Sequence, residues 1–172
     1  MKSFALTLTV VLLAGAAALA QTKNPVSSAL QQMLPGRQKN TVAAVEAMPA
    51  DKFSYKPSAD QVTFGHLAAH IVESNNLFCS KAAAVPEPKV EEAKESDGKD
   101  KLVAAVKASF DFCSDALSKM DDSKLGESTD FFGQPATRAR IALILASSWA
   151  DHYAEAAMYL RLNGITPPSA KK

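Results

Sequence analysis

Side chains that carry chemistry are scarce in this sequence. Its 172 residues include only two cysteines, three histidines and one tryptophan. The cysteines do not form a Cys-x-x-Cys pair, which excludes a dithiol redox motif and a zinc site built on close cysteines. Neither a Gly-x-Ser-x-Gly elbow nor a glycine-rich phosphate loop is present. The sequence therefore lacks the motifs of the common serine hydrolases and nucleotide-binding enzymes.

An excess of one charge is also missing. The sequence has 19 Lys and Arg residues against 18 Asp and Glu residues. Residues 21–172 contain 18 of each sign, because the first 20 residues hold one lysine and no acidic residue. A neutral chain without a basic tract does not attract phosphate backbones or anionic lipid surfaces. We therefore expect no nucleic-acid partner.

The first 20 residues have the layout of a secretory signal peptide. Lys2 precedes an uncharged apolar run from Phe4 to Ala20, which ends in small residues just before Gln21. The run falls short of the roughly 20 residues that span a bilayer, so a cleaved signal is favoured over a membrane anchor. We predict a signal peptide over residues 1–20 and a mature domain over residues 21–172. The mature domain is expected to leave the membrane and to be secreted or periplasmic.

Apolar residues at spacings of three and four predict four amphipathic helices. These helices cover approximately residues 25–48, 63–83, 100–120 and 137–163, and proline and glycine fall almost entirely between them. Pro35-Gly36 interrupts the first segment, which predicts a kink or two shorter helices. No segment predicts a strand. One domain with this pattern is expected to be all-α, a four-helix bundle.

The segments between the helices are predicted to be loops. Residues 49–62 contain Pro49 and Pro57, which block continuation of a helix. Residues 85–98 form a charged connector that contains proline, and we expect this connector to be mobile and solvated. Another loop is expected around Phe131–Pro135.

The two cysteines lie late on the apolar stripes of the second and third helices. An exported protein meets an oxidising environment, which predicts a disulfide between Cys79 and Cys113. A bridge across this loop stabilises a fold by about 3–4 kcal/mol in the chain-entropy model.

The three histidines are the candidate metal ligands. His66 and His70 are four residues apart on one side of the second helix, with His70 at the edge of the apolar stripe and His66 turned towards solvent. His152 lies within the apolar face of the fourth helix. A buried histidine must be hydrogen-bonded or ligated, so His152 is either a core histidine satisfied by a neighbour or a ligand. We predict that His70 and His152 approach each other, with Glu155 as a further carboxylate ligand or a solvated surface acid.

Two segments resemble motifs of the DinB-like (DinB/YfiT) superfamily. The segment Thr63–Ile71 (TFGHLAAHI) resembles the second-helix motif of that family. The segment that starts at His152 (HYAE) and continues through Tyr159–Ile165 to Pro167-Pro168 is similar to the end of its last helix. The resemblance covers nearly all of residues 21–172.

This resemblance implies a four-helix bundle that in many members holds zinc or nickel through three histidines. One ligand comes from the second helix, and two come from a His-x-x-x-His pair on the last helix. His70 matches the first of these positions and His152 the last, whereas Ser148 replaces the remaining histidine. Serine is a poor ligand for such ions. The site is therefore lost, completed by His66 or Glu155, or a two-histidine site completed by water.

Two function classes follow from the resemblance and the histidines. One is a metal-dependent hydrolase or thiol transferase, in which the ion activates water or a thiol. The alternative is a non-catalytic exported bundle that binds a small molecule or a protein partner and has a degenerate metal site. Fold alone does not decide between them. The small molecule is unidentified, and a homodimer is left open.

Overall fold

The computed structural model describes residues 23–171, so the predicted signal peptide over residues 1–20 lies outside the described residues. The described chain is built on four long helices, which confirms the predicted all-α bundle. The helices are α1 (Pro25–Ala47), α2 (Phe64–Ala83), α3 (Lys99–Ser118) and α4 (Arg138–Leu162). No helix among these residues is long and apolar enough to cross a membrane.

A short antiparallel hairpin precedes α4, and the prediction that the chain has no strand was wrong. Strand β1 (Ser128–Phe131) pairs with β2 (Gln134–Thr137), and the register places Phe131 opposite Gln134. The two turn residues, Phe132 and Gly133, both have positive φ, as a tight type I′ hairpin requires. Each strand has only four residues, the segment is mostly exposed, and β2 contains Pro135, a residue that strands disfavour. The segment therefore lacks the length and the alternation of apolar and polar residues that predict a strand.

Helix α1 runs through Pro35 as one element, so the alternative of two shorter helices was wrong. Pro35 cannot donate the hydrogen bond that a helix interior normally uses. Both Pro35 and Gly36 are exposed. The backbone carbonyl that would normally accept a hydrogen bond from residue 35 is therefore open to water. The helix therefore continues because its other side is buried against the bundle.

Threonine caps begin the two helices that carry the histidines. The Thr63 hydroxyl accepts from the backbone N–H of His66 at 3.0 Å, and the Thr137 hydroxyl accepts from that of Arg140 at 3.3 Å. The first cap fixes His66 in the opening turn of α2, so His70 lies one turn farther along the helix, and its side chain is about half exposed, like that of His66.

Helices α2 and α4 are antiparallel, and two hydrogen bonds show their register. The Tyr159 hydroxyl donates to the Val62 carbonyl at 2.7 Å, at the start of α2. Farther along, the Trp149 indole Nε1 donates to Asn75 Oδ1 at 2.9 Å in the core. Residues 70 and 152 lie between these two contacts, which brings the two helical turns that carry them to one level.

A disulfide joins α2 to α3. The structure pairs Cys79 with Cys113, the pair that the sequence predicts, with 5.3 Å between their Cα atoms. Both residues are fully buried. The bridge therefore lies inside the core and fixes the α2–α3 contact beyond the histidine level.

Thr41 is a buried residue of α1 whose substitution should increase the stability of the fold. Its side chain is buried, and its hydroxyl has no hydrogen-bond partner. Burying an unpaired hydroxyl costs free energy, whereas a methyl group of similar size does not. We expect Thr41→Val to raise the free energy of unfolding by about 1 kcal/mol in urea denaturation. A lower midpoint for Thr41→Val than for the wild type would contradict this assignment, and exposed Thr166→Val is a control.

Candidate functional site

The structure brings two of the three histidines together between α2 and α4. The imidazole centroids of His70 and His152 are 5.1 Å apart, and their planes meet at 77°. This edge-to-face arrangement follows from the antiparallel register of the helices. The two rings are near enough to share one small ion or one water molecule.

Two serines face the same pair of rings. Ser74 Oγ lies 3.4 Å from His70 Nε2, and Ser148 Oγ lies 3.3 Å from His152 Nδ1. Each serine is four residues from its histidine, so each pair spans one turn of its own helix. Ser74 is buried and Ser148 is half-buried. The site is thus a cluster of two imidazoles and two hydroxyls, which we call the His–Ser cluster.

His152 is held in the neutral form by its surroundings. Burial, together with a smaller contribution from the nearby His70, lowers the pKa of His152 to about 4, although Asp151 partly opposes the shift. A neutral imidazole keeps one nitrogen lone pair free. That lone pair can accept a hydrogen bond or bind a cation near neutral pH.

The shifted pKa predicts how stability depends on pH. In the unfolded chain His152 titrates near 6.5, so between pH 6.5 and about 4 the unfolded state binds more protons than the folded state. The contribution of His152 to stability is therefore fully present above pH 6.5 and is lost as the pH falls towards 4. We expect His152→Gln to flatten this part of the curve of unfolding free energy against pH.

A direct measurement checks the same shift. The His152 ring should titrate with a midpoint of about 4 in an NMR pH series of the folded protein. A midpoint near the ordinary value of 6.5 would show that the ring is more solvated than the structure places it.

The two other predicted ligands are not assembled with the pair. His66 is half-exposed and stacks on His70 with 6.5 Å between ring centroids, while its Nδ1 lies 3.5 Å from Glu95 Oε2. Glu155 is half-buried and lies one turn after His152, towards the end of α4 that contacts the start of α2. Within residues 23–171, no three His, Cys, Asp or Glu side chains are grouped closely enough to hold a metal.

The donor set can be compared with the three-histidine site that the resemblance implies. His70 and His152 fit two of its ligand positions, because both rings are adjacent and His152 is neutral. The third position holds the Ser148 hydroxyl, a weak ligand for zinc or nickel. The residues present therefore fit a two-histidine site and do not fit the complete three-histidine site.

A groove beside His70 was not predicted from the sequence. Residues 85–98, expected to be a mobile solvated connector, lie along α2. Connector residues 87–95 and the facing side of α2 line a cavity of about 480 Å³, which we call the α2 groove. The backbone oxygen of Glu95 approaches Gly65 so closely that an added Cβ would lie 2.9 Å from it. Gly65 thus allows the connector to lie against the first turn of α2. The close approach depends on the path of the connector, which local pattern does not reveal.

The bundle and the His–Ser cluster place this protein in a class of helical domains that carry a candidate site between the second and last helices. The family model described as the DinB family matches residues 21–172. The chain therefore belongs to the DinB family. A comparison with curated proteins found no match.

Two solved structures share the fold. The chain is similar to a DinB-like protein from Bacillus subtilis, with 20% identity, a TM-score of 0.65 and coverage of 80% of this chain and 93% of that one. It is also similar to a DinB-like protein from Bacillus cereus ATCC 10987, with 19% identity, a TM-score of 0.67 and coverage of 82% and 95%. At these identities the likeness shows the fold alone.

Proposed function

We propose that this DinB-family domain binds a divalent cation, zinc or nickel, through His70 and His152. The observation that carries the proposal is the 5.1 Å separation of the two rings, one of them buried and neutral. Metal ligation by histidine requires a neutral ring, and the environment of His152 supplies that state without competition from protons. Water, His66 or Glu155 would complete the ligand set.

A bound ion would polarise water or a thiol, the chemistry of a hydrolase or thiol transferase. The chain's own residues would set the orientation of the site. Ser148 and Ser74 contact one nitrogen of each ring, and such outer contacts select which nitrogen carries the proton. The exposed side of His70 gives a substrate access to the pair.

Ser148 favours a second candidate function. With two imidazoles in place of three, the domain is a non-catalytic exported bundle that binds a small molecule or a protein partner. This candidate and the metal enzyme differ in one property that can be measured, which is the affinity of the purified protein for metal.

Titration calorimetry with zinc and nickel on untagged protein separates the two candidates. We expect one ion per chain for the wild type and no binding for His152→Ala, because that change removes one of the two imidazoles. Ser148→His should raise the affinity at least about tenfold by adding a third imidazole ligand. Circular dichroism should show equal helix content in all three proteins.

Two results would contradict the metal proposal. The first is substoichiometric metal in the wild type after incubation with both ions. The second is equal uptake by wild type and His152→Ala, which would place the ion elsewhere. If Ser148→His binds zinc and the wild type does not, the chain retains the geometry of the site without its function, and the non-catalytic candidate is favoured.

We also propose that the domain is exported and matures at Gln21. The buried Cys79–Cys113 disulfide supports this location, since structural disulfides persist in oxidising compartments. Intact-mass measurement on protein from the extracytoplasmic fraction should give the mass of residues 21–172. Retention of residues 1–20 in that fraction would refute cleavage at this position.

A further inference from the structure

The α2 groove is rich in carboxylates. Five glutamates and one lysine, Lys94, line it. Among residues 23–171, one of these glutamates, Glu91, has a lysine partner, with Lys101 at 3.3 Å. Glu87 and Glu92 form no ion pair with the residues that the structure describes. The groove therefore keeps an excess of negative charge in a chain whose residues 21–172 are formally neutral.

The walls between these carboxylates are apolar. Val72 and Leu77 line the α2 side, and Pro88, Val90 and Ala93 line the connector side. Val90 is among the exposed large apolar residues of the structure. Binding sites for small molecules combine apolar walls with a few polar groups, and the volume of about 480 Å³ is in their usual range.

The groove also holds a polar atom that lacks a partner. Asn76 lines the groove, and its Oδ1 is buried without a hydrogen-bond partner. A buried carbonyl oxygen without a donor is unusual and calls for an explanation. An N–H donor of a bound ligand would satisfy it. This observation is independent of the carboxylates, and a ligand of the same type, one that donates hydrogen bonds, would satisfy it.

We propose that the α2 groove binds an organic cation with an apolar backbone, of the class of aliphatic di- and polyamines. Ammonium groups would lie at Glu87, Glu92 and their neighbours, and methylene segments would cover the apolar walls. Asn76 Oδ1 would accept from one amine. His70 and His66 also line the groove, whereas His152 does not, so the amine site borders the proposed metal site. Glu87 and Glu92, which carry the amine proposal, are not ligands in the metal proposal, so the amine proposal does not depend on a bound ion.

NMR titration with spermine tests the proposal on the oxidised mature domain. Spermine should shift the amide signals of groove residues such as Val72 and Leu77, and adipate at the same concentration should not. Glu87→Gln combined with Glu92→Gln should weaken spermine binding about tenfold, since each exposed ion pair contributes up to about 1 kcal/mol. Asp60→Asn combined with Asp130→Asn removes the same charge outside the groove and should change the affinity less than about twofold.

Three outcomes would overturn the proposal: no shift with spermine, shifts spread over the whole surface, or equal weakening by both double variants. Equal shifts with adipate would also overturn it, because the groove would then not select charge. The His152→Ala protein keeps the failures apart. If His152→Ala loses zinc binding and retains spermine binding, the change concerns the His–Ser cluster alone. If the wild type does not bind spermine, only the α2 groove proposal fails.

Discussion

Removal of the Cys79–Cys113 disulfide is expected to lower the free energy of unfolding by about 3–4 kcal/mol. The bridge links residues 34 apart in sequence, so it restricts a long loop of the unfolded chain. Its Cα separation of 5.3 Å lies within the usual range for disulfides, so no backbone movement is needed to form it. The measurement is urea denaturation of Cys79→Ala/Cys113→Ala beside the wild type.

Reduction supplies the control for this prediction. Wild-type protein that is unfolded, reduced and refolded in reductant should lose a similar stability, and the double variant should not respond to reductant. Equal midpoints for the oxidised wild type and the double variant would show that the bridge adds nothing to the core. Two titratable thiols in the unreduced, denatured wild type would show that the bridge does not form.

Substitution of Asn75 by Ala is expected to cost about 2–4 kcal/mol of unfolding free energy. The Asn75 side chain is fully buried and accepts from Trp149 Nε1 at 2.9 Å. It also donates to Ser109 Oγ at 3.0 Å, and that hydroxyl donates to the Val106 carbonyl at 2.8 Å. The substitution would leave the indole N–H without an acceptor and open a cavity where α2, α3 and α4 meet.

A double-mutant cycle isolates the indole contact from the cavity. Trp149→Phe removes the donor, so Asn75→Ala should cost about 1 kcal/mol less in that background than in the wild type. Strict additivity of the two changes would show that the contact contributes nothing. Because Asn75 and Trp149 hold the register of α2 and α4, we also expect Asn75→Ala to loosen the His70–His152 pair. Ring signals of His152 that stay unchanged in Asn75→Ala would contradict that link.

The candidate site could be predicted only as far as helical periodicity extends. The face assignments of His70 and His152 follow from 100° per residue, and the structure buries His152 and brings the two rings together. His70 is about half exposed, like His66, so the predicted difference between those two histidines is absent. Ser148 was identified from the sequence as the replacement of a histidine, and Ser74 could also have been found, since it is four residues after His70 just as Ser148 is four before His152. Whether a third ligand joins them depends on side-chain positions across the bundle. His66 lies beside Glu95 of the connector, a contact that no local spacing indicates.

The sequence by itself determined the four helices and the cysteine pair of this DinB-family domain, because these depend on neighbours one turn apart or on a single choice of partner. Only the tertiary structure decided the course of residues 85–98, the hairpin before α4 and the partners of Asn75. The connector and the partners of Asn75 depend on contacts between residues far apart in sequence. The hairpin pairs residues close in sequence, but its residues have weak strand preferences, and Phe131 packs on Phe78 of α2. The α2 groove exists because packing brings the connector against α2, and each of these two segments contributes both acidic and apolar residues to its lining.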